Sequence, residues 1–394
     1  MVLNPKNRKD AATIRAICFE IVDVFLTIPI FFFEMEIKTF IFSEMKKLVS
    51  ILILFVHLLS FSQEKSELKT TFSGYLETYY SYDFNPNGIE TKLPFMYNHN
   101  RHNEFNVNIG LLRTKFEYGT MYANIAIQSG AYVVDNYASE KIQNINEAFI
   151  GIYFDTMKKH VLEAGVLPSY IGFESATTAT NLTLTRSVLA ENSPYFMTGM
   201  KYNFKPSDKW AFAALLTNGW QRIAKPNKDV APSFGSQIVY KPKEDATFNW
   251  STFVGKEFNG VGFEMRYFSN FYYDYTWNAK WRTIAGFDMG IQKLNDSQSA
   301  TWLSPVFIAQ YSLSPKWQTA FRAEYYKDAK NLIIATSVPF ETIGFSINVD
   351  YLPNAKVKLR NEIRYLNNKN SVFGMEPNLM ASSLFTTTSL SFEF

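Results

Sequence analysis

One cysteine is present in 394 residues, Cys18. A single thiol cannot form a disulfide framework. Cys18 also lies upstream of a cleavage site expected after Ser62, so a thiolate metal site and a cysteine nucleophile are excluded from the mature protein. Histidine is almost as scarce: of four, only His99, His102 and His160 fall beyond residue 62. Hydrolytic chemistry needs a nucleophile oriented by a base, usually histidine. No Gly-x-Ser-x-Gly motif is present, and the three histidines suggest no triad. His99 and His102, three apart in NHNRHN, supply too few ligands for zinc; the stretch reads as a polar loop tip, and neither metal nor cofactor is expected.

Long apolar runs are also missing. From Gln63 onward the longest is Trp210 to Leu216, far short of the roughly 20 residues of a membrane-spanning helix. Charge of one sign is lacking too. The chain has 39 Lys and Arg against 36 Asp and Glu, a net charge of +3. That balance argues for no particular macromolecular partner, and none of the nucleic-acid class.

What is abundant is aromatic: 36 Phe and 23 Tyr. Aromatic side chains favour strands, and Tyr and Trp favour a boundary between lipid and water. Residues 45–62, MKKLVSILILFVHLLSFS, have the form of a secretory signal: Lys46 and Lys47, an apolar core from Leu48 to Leu59, and small residues before a cut between Ser62 and Gln63. Residues 1–44 precede this signal and read as an upstream extension of the gene model. A membrane segment within Ile17 to Phe42 is the rival, but Glu20, Asp23, Glu34, Glu36 and Lys38 interrupt it. Residues 63–70 form a short lead-in, and 71–394 the folded body.

That body alternates with period two in segments of about ten residues. FETIGFSINVDY places Ile343, Phe345, Ile347, Val349 and Tyr351 on one face, and Thr342, Gly344, Ser346, Asn348 and Asp350 on the other. KVKLRNEIRY sets Val357, Leu359, Ile363 and Tyr365 against Lys356, Lys358, Arg360, Glu362 and Arg364. Short connectors recur at Pro206, Pro242, Asn278, Pro315 and Pro353, so each repeat is one β-hairpin. Between them lie longer polar stretches, 81–103 and 172–194.

Short turns at one end and long loops at the other predict an all-β, antiparallel transmembrane barrel of about 16 strands, with periplasmic turns and extracellular loops. A soluble sandwich would also alternate. The export signal, the unequal connectors, and aromatic residues near strand ends (Trp210, Trp250, Trp277, Trp281, Trp317, Tyr351, Tyr365) favour the barrel. The chain ends SLSFEF, continuing an alternation from Leu384 that turns Leu390, Phe392 and Phe394 to lipid and Ser389, Ser391 and Glu393 to the lumen. Such a strand would close against GYLETYYSY and remove both sheet edges. Phe392 and Phe394 would form the terminal signal read by the barrel-assembly machinery.

At residues 182–204, LTLTRSVLAENSPYFMTGMKYNF, and in the connector set, the chain resembles the OmpL-like β-barrel porin family of Bacteroidota. The resemblance covers most of Ser73 to Phe394 and implies an unplugged porin in the outer membrane of a diderm bacterium, passing small hydrophilic solutes or ions. Lumen faces carry Glu264 and Arg266, Arg282 and Asp288, Arg322 and Glu324, Asp350, then Lys358, Arg360, Glu362 and Arg364. Two readings of these charges stand: a wall giving weak anion preference, or pairs that neutralise one another and tie strands together. The 172–194 loop, with Glu174, Arg186 and Glu191, is the candidate constriction. The alternative functions are a barrel that binds or adheres through its outer loops, and, less favoured, a barrel enzyme. The partners expected are the outer-membrane bilayer, the assembly machinery and small solutes; nothing in the pattern specifies an oligomeric state.

Overall fold

Each hairpin leaves a free edge for the next, so a chain of hairpins in lipid can stop only by meeting its own beginning. The computed structural model, which describes residues 67–85, 93, 95–295, 297–374 and 377–394, shows this closure. The segment at 1–44, the signal peptide expected at 45–62 and the cut expected between Ser62 and Gln63 lie outside the described residues.

Sixteen antiparallel strands form one closed sheet in chain order. They are β1 (Lys69–Asp83), β2 (Phe105–Tyr118), β3 (Met121–Ser129), β4 (Ile145–Tyr153), β5 (His160–Pro168), β6 (Phe196–Phe204), β7 (Trp210–Thr217) and β8 (Ser233–Tyr240). The second half comprises β9 (Ala246–Phe258), β10 (Phe263–Thr276), β11 (Trp281–Lys293), β12 (Ser299–Ser314), β13 (Trp317–Asp328), β14 (Phe340–Asn354), β15 (Val357–Asn368) and β16 (Ser382–Glu393). The first strand begins at Lys69, two residues before the expected Thr71, because Lys69 and Thr70 still find partners in Glu117 and Phe116 of β2.

All five anticipated connectors are tight turns at one end of the barrel, at 205–209, 241–245, 277–280, 315–316 and 355–356. The other end carries loops L1 (84–104), L2 (130–144), L3 (169–195), L4 (218–232), L5 (259–262), L6 (294–298), L7 (329–339) and L8 (369–381). L2 contains a short helix, α1 (Ala131–Asn136), and L3 another, α2 (Val188–Glu191). Strands β3 to β8 have only 8 or 9 residues each, whereas β9 to β16 have 12 to 16. The low side of the wall is therefore the one from which L2, L3 and L4 spring.

Period-two alternation becomes an outside and an inside. Ile343, Phe345, Ile347 and Val349 are exposed on the outer surface, while Thr342, Ser346, Asn348 and Asp350 are buried within. In β15, Leu359, Ile363 and Tyr365 face out, and Arg360, Glu362 and Arg364 face in. Lys356 belongs to a tight turn rather than to a wall. Rings pair near the turn end of the outer surface: Trp210 with Tyr240, Trp281 with Tyr311, and Trp317 with Tyr351. Trp277, within a turn, meets Tyr275. Trp250 and Tyr365 sit farther inside their strands, Trp250 stacked on Phe271.

The terminal strand closes the barrel in the expected manner. Leu76 pairs with Phe392, and Gly74 and Phe394 exchange backbone hydrogen bonds of 2.9 and 3.0 Å. Leu390, Phe392 and Phe394 are exposed, and Ser389 and Ser391 are buried. Glu393, at the very end, is exposed rather than enclosed. The Phe394 ring lies over Gly74, where a Cβ would come within 2.3 Å of it.

Where β5 and β6 lead into L3, Gly165 stands opposite Gly199 with φ at +136°. A Cβ there would lie 2.1 Å from the Ala148 carbonyl oxygen. Backbone cannot swing aside as a side chain can, and positive φ strains any L-residue. Gly165→Ala is expected to destabilise the folded barrel by about 2 kcal/mol, within the range for strained backbone. Urea unfolding in detergent micelles, followed by tryptophan fluorescence, measures it.

Candidate functional site

An inward-facing strand residue in a barrel this wide meets water unless something covers it. L3 covers one wall. Its segment Thr178–Val188 lies against β13, β14 and β15, and the wall satisfies its backbone, as buried peptide groups require. Asn348 accepts from Leu184 N (3.0 Å), Glu362 from Thr185 N (2.6 Å) and Glu324 from Val188 N (2.7 Å). In return Arg360 donates to the carbonyls of Thr178 (2.8 Å) and Asn181 (3.1 Å), and Arg364 to that of Arg186 (2.8 Å). Lys358 donates to the Ala179 carbonyl.

The charges interlock beneath the loop. Arg322 contacts Glu362 at 2.7 Å and Glu324 at 3.3 Å, and reaches Thr183 and Thr185 with its remaining donors. Arg364 grips Glu324 (2.6 Å), and Arg360 grips Asp350 (2.8 Å). Glu174, within L3, closes the cluster 3.9 Å from Arg322 and accepts from the Ser187 backbone and hydroxyl. Burial pushes the Glu174 carboxyl above its ordinary value, against the pull of Arg322.

Arg322, Glu324, Asp350, Arg360, Glu362 and Arg364 are thus brought together, buried under L3 rather than lining open water. Arg282 and Asp288 are not paired. Six residues along one strand separate them by about 20 Å, and Arg282 binds Asp274 instead (2.6 Å). Asp288 is buried and accepts from Asn270 (2.5 Å). Arg266 donates to Gln292 and lies over the rings of Trp220 and Trp302, while Glu264, two residues away, is only partly covered.

L1 and L2 also turn inward. Glu191 of α2 accepts from Tyr97 N (2.7 Å), Asn98 Nδ2 (3.3 Å) and Tyr195 OH (2.7 Å), tying L1 to L3. Arg101 and Asp135 form a two-pronged pair between L1 and L2. His99 is therefore not an exposed loop tip. It is wholly buried, 3.1 Å from Glu77. A polar lumen can take in an Asn- and His-rich segment that a solid apolar core would refuse. Beside it, Leu93, Phe95 and Met96 join Phe340, Phe373 and Phe385 in an apolar cluster across the outer part of the lumen. Among the described residues no group of three His, Cys, Asp or Glu is placed to hold a metal ion.

Two cavities flank the L3 segment. The deeper, about 350 Å³, is lined by Arg113, Glu147, Phe173, Glu174, Arg186, Tyr195 and Tyr272 among others. The outer, about 320 Å³, is bounded by Tyr97, Asp135, Glu191, Trp220, Arg222 and Arg266. They share a partition: Tyr195 and Tyr132 line the deeper space, and Glu191 and Asn136, to which they hydrogen-bond, line the outer. Arg113, paired with Glu147 at 2.7 Å, was missed in the sequence. The signal was there: GLLRTKFEY alternates, with Arg113, Lys115 and Glu117 on its inner face.

The model of a family described as "Putative beta-barrel porin-2, OmpL-like" matches residues 69–394. Among solved structures, the anion-selective porin from Comamonas acidovorans is similar at a TM-score of 0.56 and 10% identity, over 83% of this chain and 100% of that one. OmpF of Salmonella typhi, in complex with daunomycin, is similar at 0.58 and 12%, over 83% and 98%. The outer membrane channel DcaP of Acinetobacter baumannii matches at 0.55 and 11%, over 85% and 99%. At these identities the likeness is one of fold. No curated protein matches in sequence.

Proposed function

We propose that this chain, which belongs to the OmpL-like beta-barrel porin-2 family, is a passive diffusion channel of the outer membrane in which L3 confines solutes to one side of the lumen. The observation that carries the reading is a closed 16-stranded barrel whose inward loop is bonded to β13–β15 and leaves polar cavities on its other side. A barrel of this strand number is wide enough for water before any loop enters it. The reading is of a channel and not of an enzyme, with the bilayer, small solutes and the assembly machinery as its partners.

Weak anion preference belongs, on this reading, to arginines along the cavities: Arg222 at the outer one, Arg186 and Arg113 at the deeper one. The wall of Arg322, Arg360 and Arg364 acts mainly in holding L3, since its charge is spent on carboxylates and loop carbonyls at contact distance. Field in a pore is set by charges that ions approach. Arg113→Gln is expected to move the reversal potential in a KCl gradient towards cation preference. Neutralising Arg360 and Arg364 together is expected to change conductance and its noise more than the reversal potential; the opposite ranking would return selectivity to the wall.

Single-channel recording of residues 63–394 in a planar bilayer tests the function itself. Ohmic steps that grow with salt are expected. A folded barrel that stays silent would overturn the channel reading and make the outer loops the functional surface.

A further inference from the structure

We infer that the deeper cavity is a binding station for small organic carboxylates, with Arg186 as the group that takes the carboxylate; this deepens the channel reading and rests on it. Arg186 is only 3% exposed, yet among the described residues its Nε and Nη1 have no hydrogen-bond partner. A guanidinium carries five donors, and one buried without acceptors forfeits hydrogen bonds that water would have supplied. Its backbone carbonyl is held by Arg364, and its guanidinium carbon lies 3.7 Å from the centre of the Tyr195 ring. The side chain is fixed in place by stacking and by the loop; among the described residues no carboxylate forms an ion pair with it, although Glu174, on the same cavity, lies within its field.

The carboxylates nearest the cavity are already engaged. Glu174 accepts from Ser187, and Glu147 from Arg113 and Asn124. Arg113, on the same cavity, also has an unpartnered Nε. The site is therefore short of acceptors and not of donors. An incoming oxyanion would supply them, and the planar fork of arginine matches a carboxylate in two-pronged fashion. Part of the lining suits an organic body on that carboxylate: Phe173, Tyr132, Tyr195, Tyr272, Ile171 and Ala176 present apolar surface beside the polar Asn146, Ser169, Ser175 and Thr177. A volume of about 350 Å³ admits a single-ring or short-chain acid.

Equilibrium titration of benzoate into refolded residues 63–394 in detergent tests the site without requiring current. Saturable binding is expected, weakened about tenfold or more in Arg186→Met, as loss of a charge-assisted hydrogen-bond pair implies. Arg186→Lys keeps the charge without the fork and is expected to bind with intermediate affinity, so the comparison survives if the Met variant folds poorly. Inorganic phosphate is expected to bind more weakly than benzoate. Equal binding by wild type and Arg186→Met would overturn the assignment, and phosphate binding as tightly as benzoate would overturn the organic body. Conductance in KCl alone, recorded on the same preparation, separates failure of the channel from failure of the site. In a conducting barrel, millimolar benzoate is expected to produce resolved current interruptions that Arg186→Met abolishes.

Discussion

Deleting residues 176–184 is expected to raise single-channel conductance severalfold while leaving the barrel folded. The excision removes the Thr178, Ala179 and Asn181 carbonyls that Arg360 and Lys358 hold, together with Thr183 and Leu184. Closing the shortened loop imposes little strain, because its two ends already pair across the sheet, Pro168 with Phe196. Loop-closure entropy depends only weakly on length, so the loss of nine residues is not itself destabilising. Arg360 would then face water, and anion preference should rise together with conductance. Unchanged conductance would place the narrowest point elsewhere, at the apolar cluster where Phe95 meets Phe340 and Phe373.

Arg322→Met is expected to be the most destabilising single substitution in the lumen. Arg322 is the cation shared by Glu174, Glu324 and Glu362, and none of these carboxylates has access to bulk water. Removing one partner of a buried ionic group and leaving the other charged costs about 3–5 kcal/mol. The same substitution takes away three hydrogen bonds to Thr183 and Thr185, so L3 should loosen as well. Urea unfolding in micelles measures the first effect, and open-channel noise the second. Adding Glu362→Gln should recover part of the lost stability, since it removes one uncompensated charge; a double variant no more stable than Arg322→Met would deny the electrostatic cause.

Both effects arise from contacts that period-two reading cannot supply. The alternation in KVKLRNEIRY determined that Arg360, Glu362 and Arg364 point inward, and SLSFEF determined the lipid-facing rings of the closing strand. The five connectors marked every tight turn from 205 to 356. Such features were legible because lipid demands that backbone groups be satisfied between neighbouring strands, and a two-residue period then assigns each side chain a side. The closure of β16 on β1 follows from the same rule, and because that pair too is antiparallel the strand number is even.

What lies over an inward side chain is a different kind of fact. Arg360 bonds to Thr178 across 182 positions of sequence, and His99 reaches Glu77 only because L1 dips into the lumen. A polar residue inside a barrel meets either water or a polar loop, and both satisfy it equally well. Sequence thus determined the barrel, its faces and its turns. Tertiary structure alone decided that three arginines clamp a loop while Arg186, on that loop, has donors that no described residue fills, because a hydrogen-bond partner is chosen by proximity in space and not by periodicity along the chain.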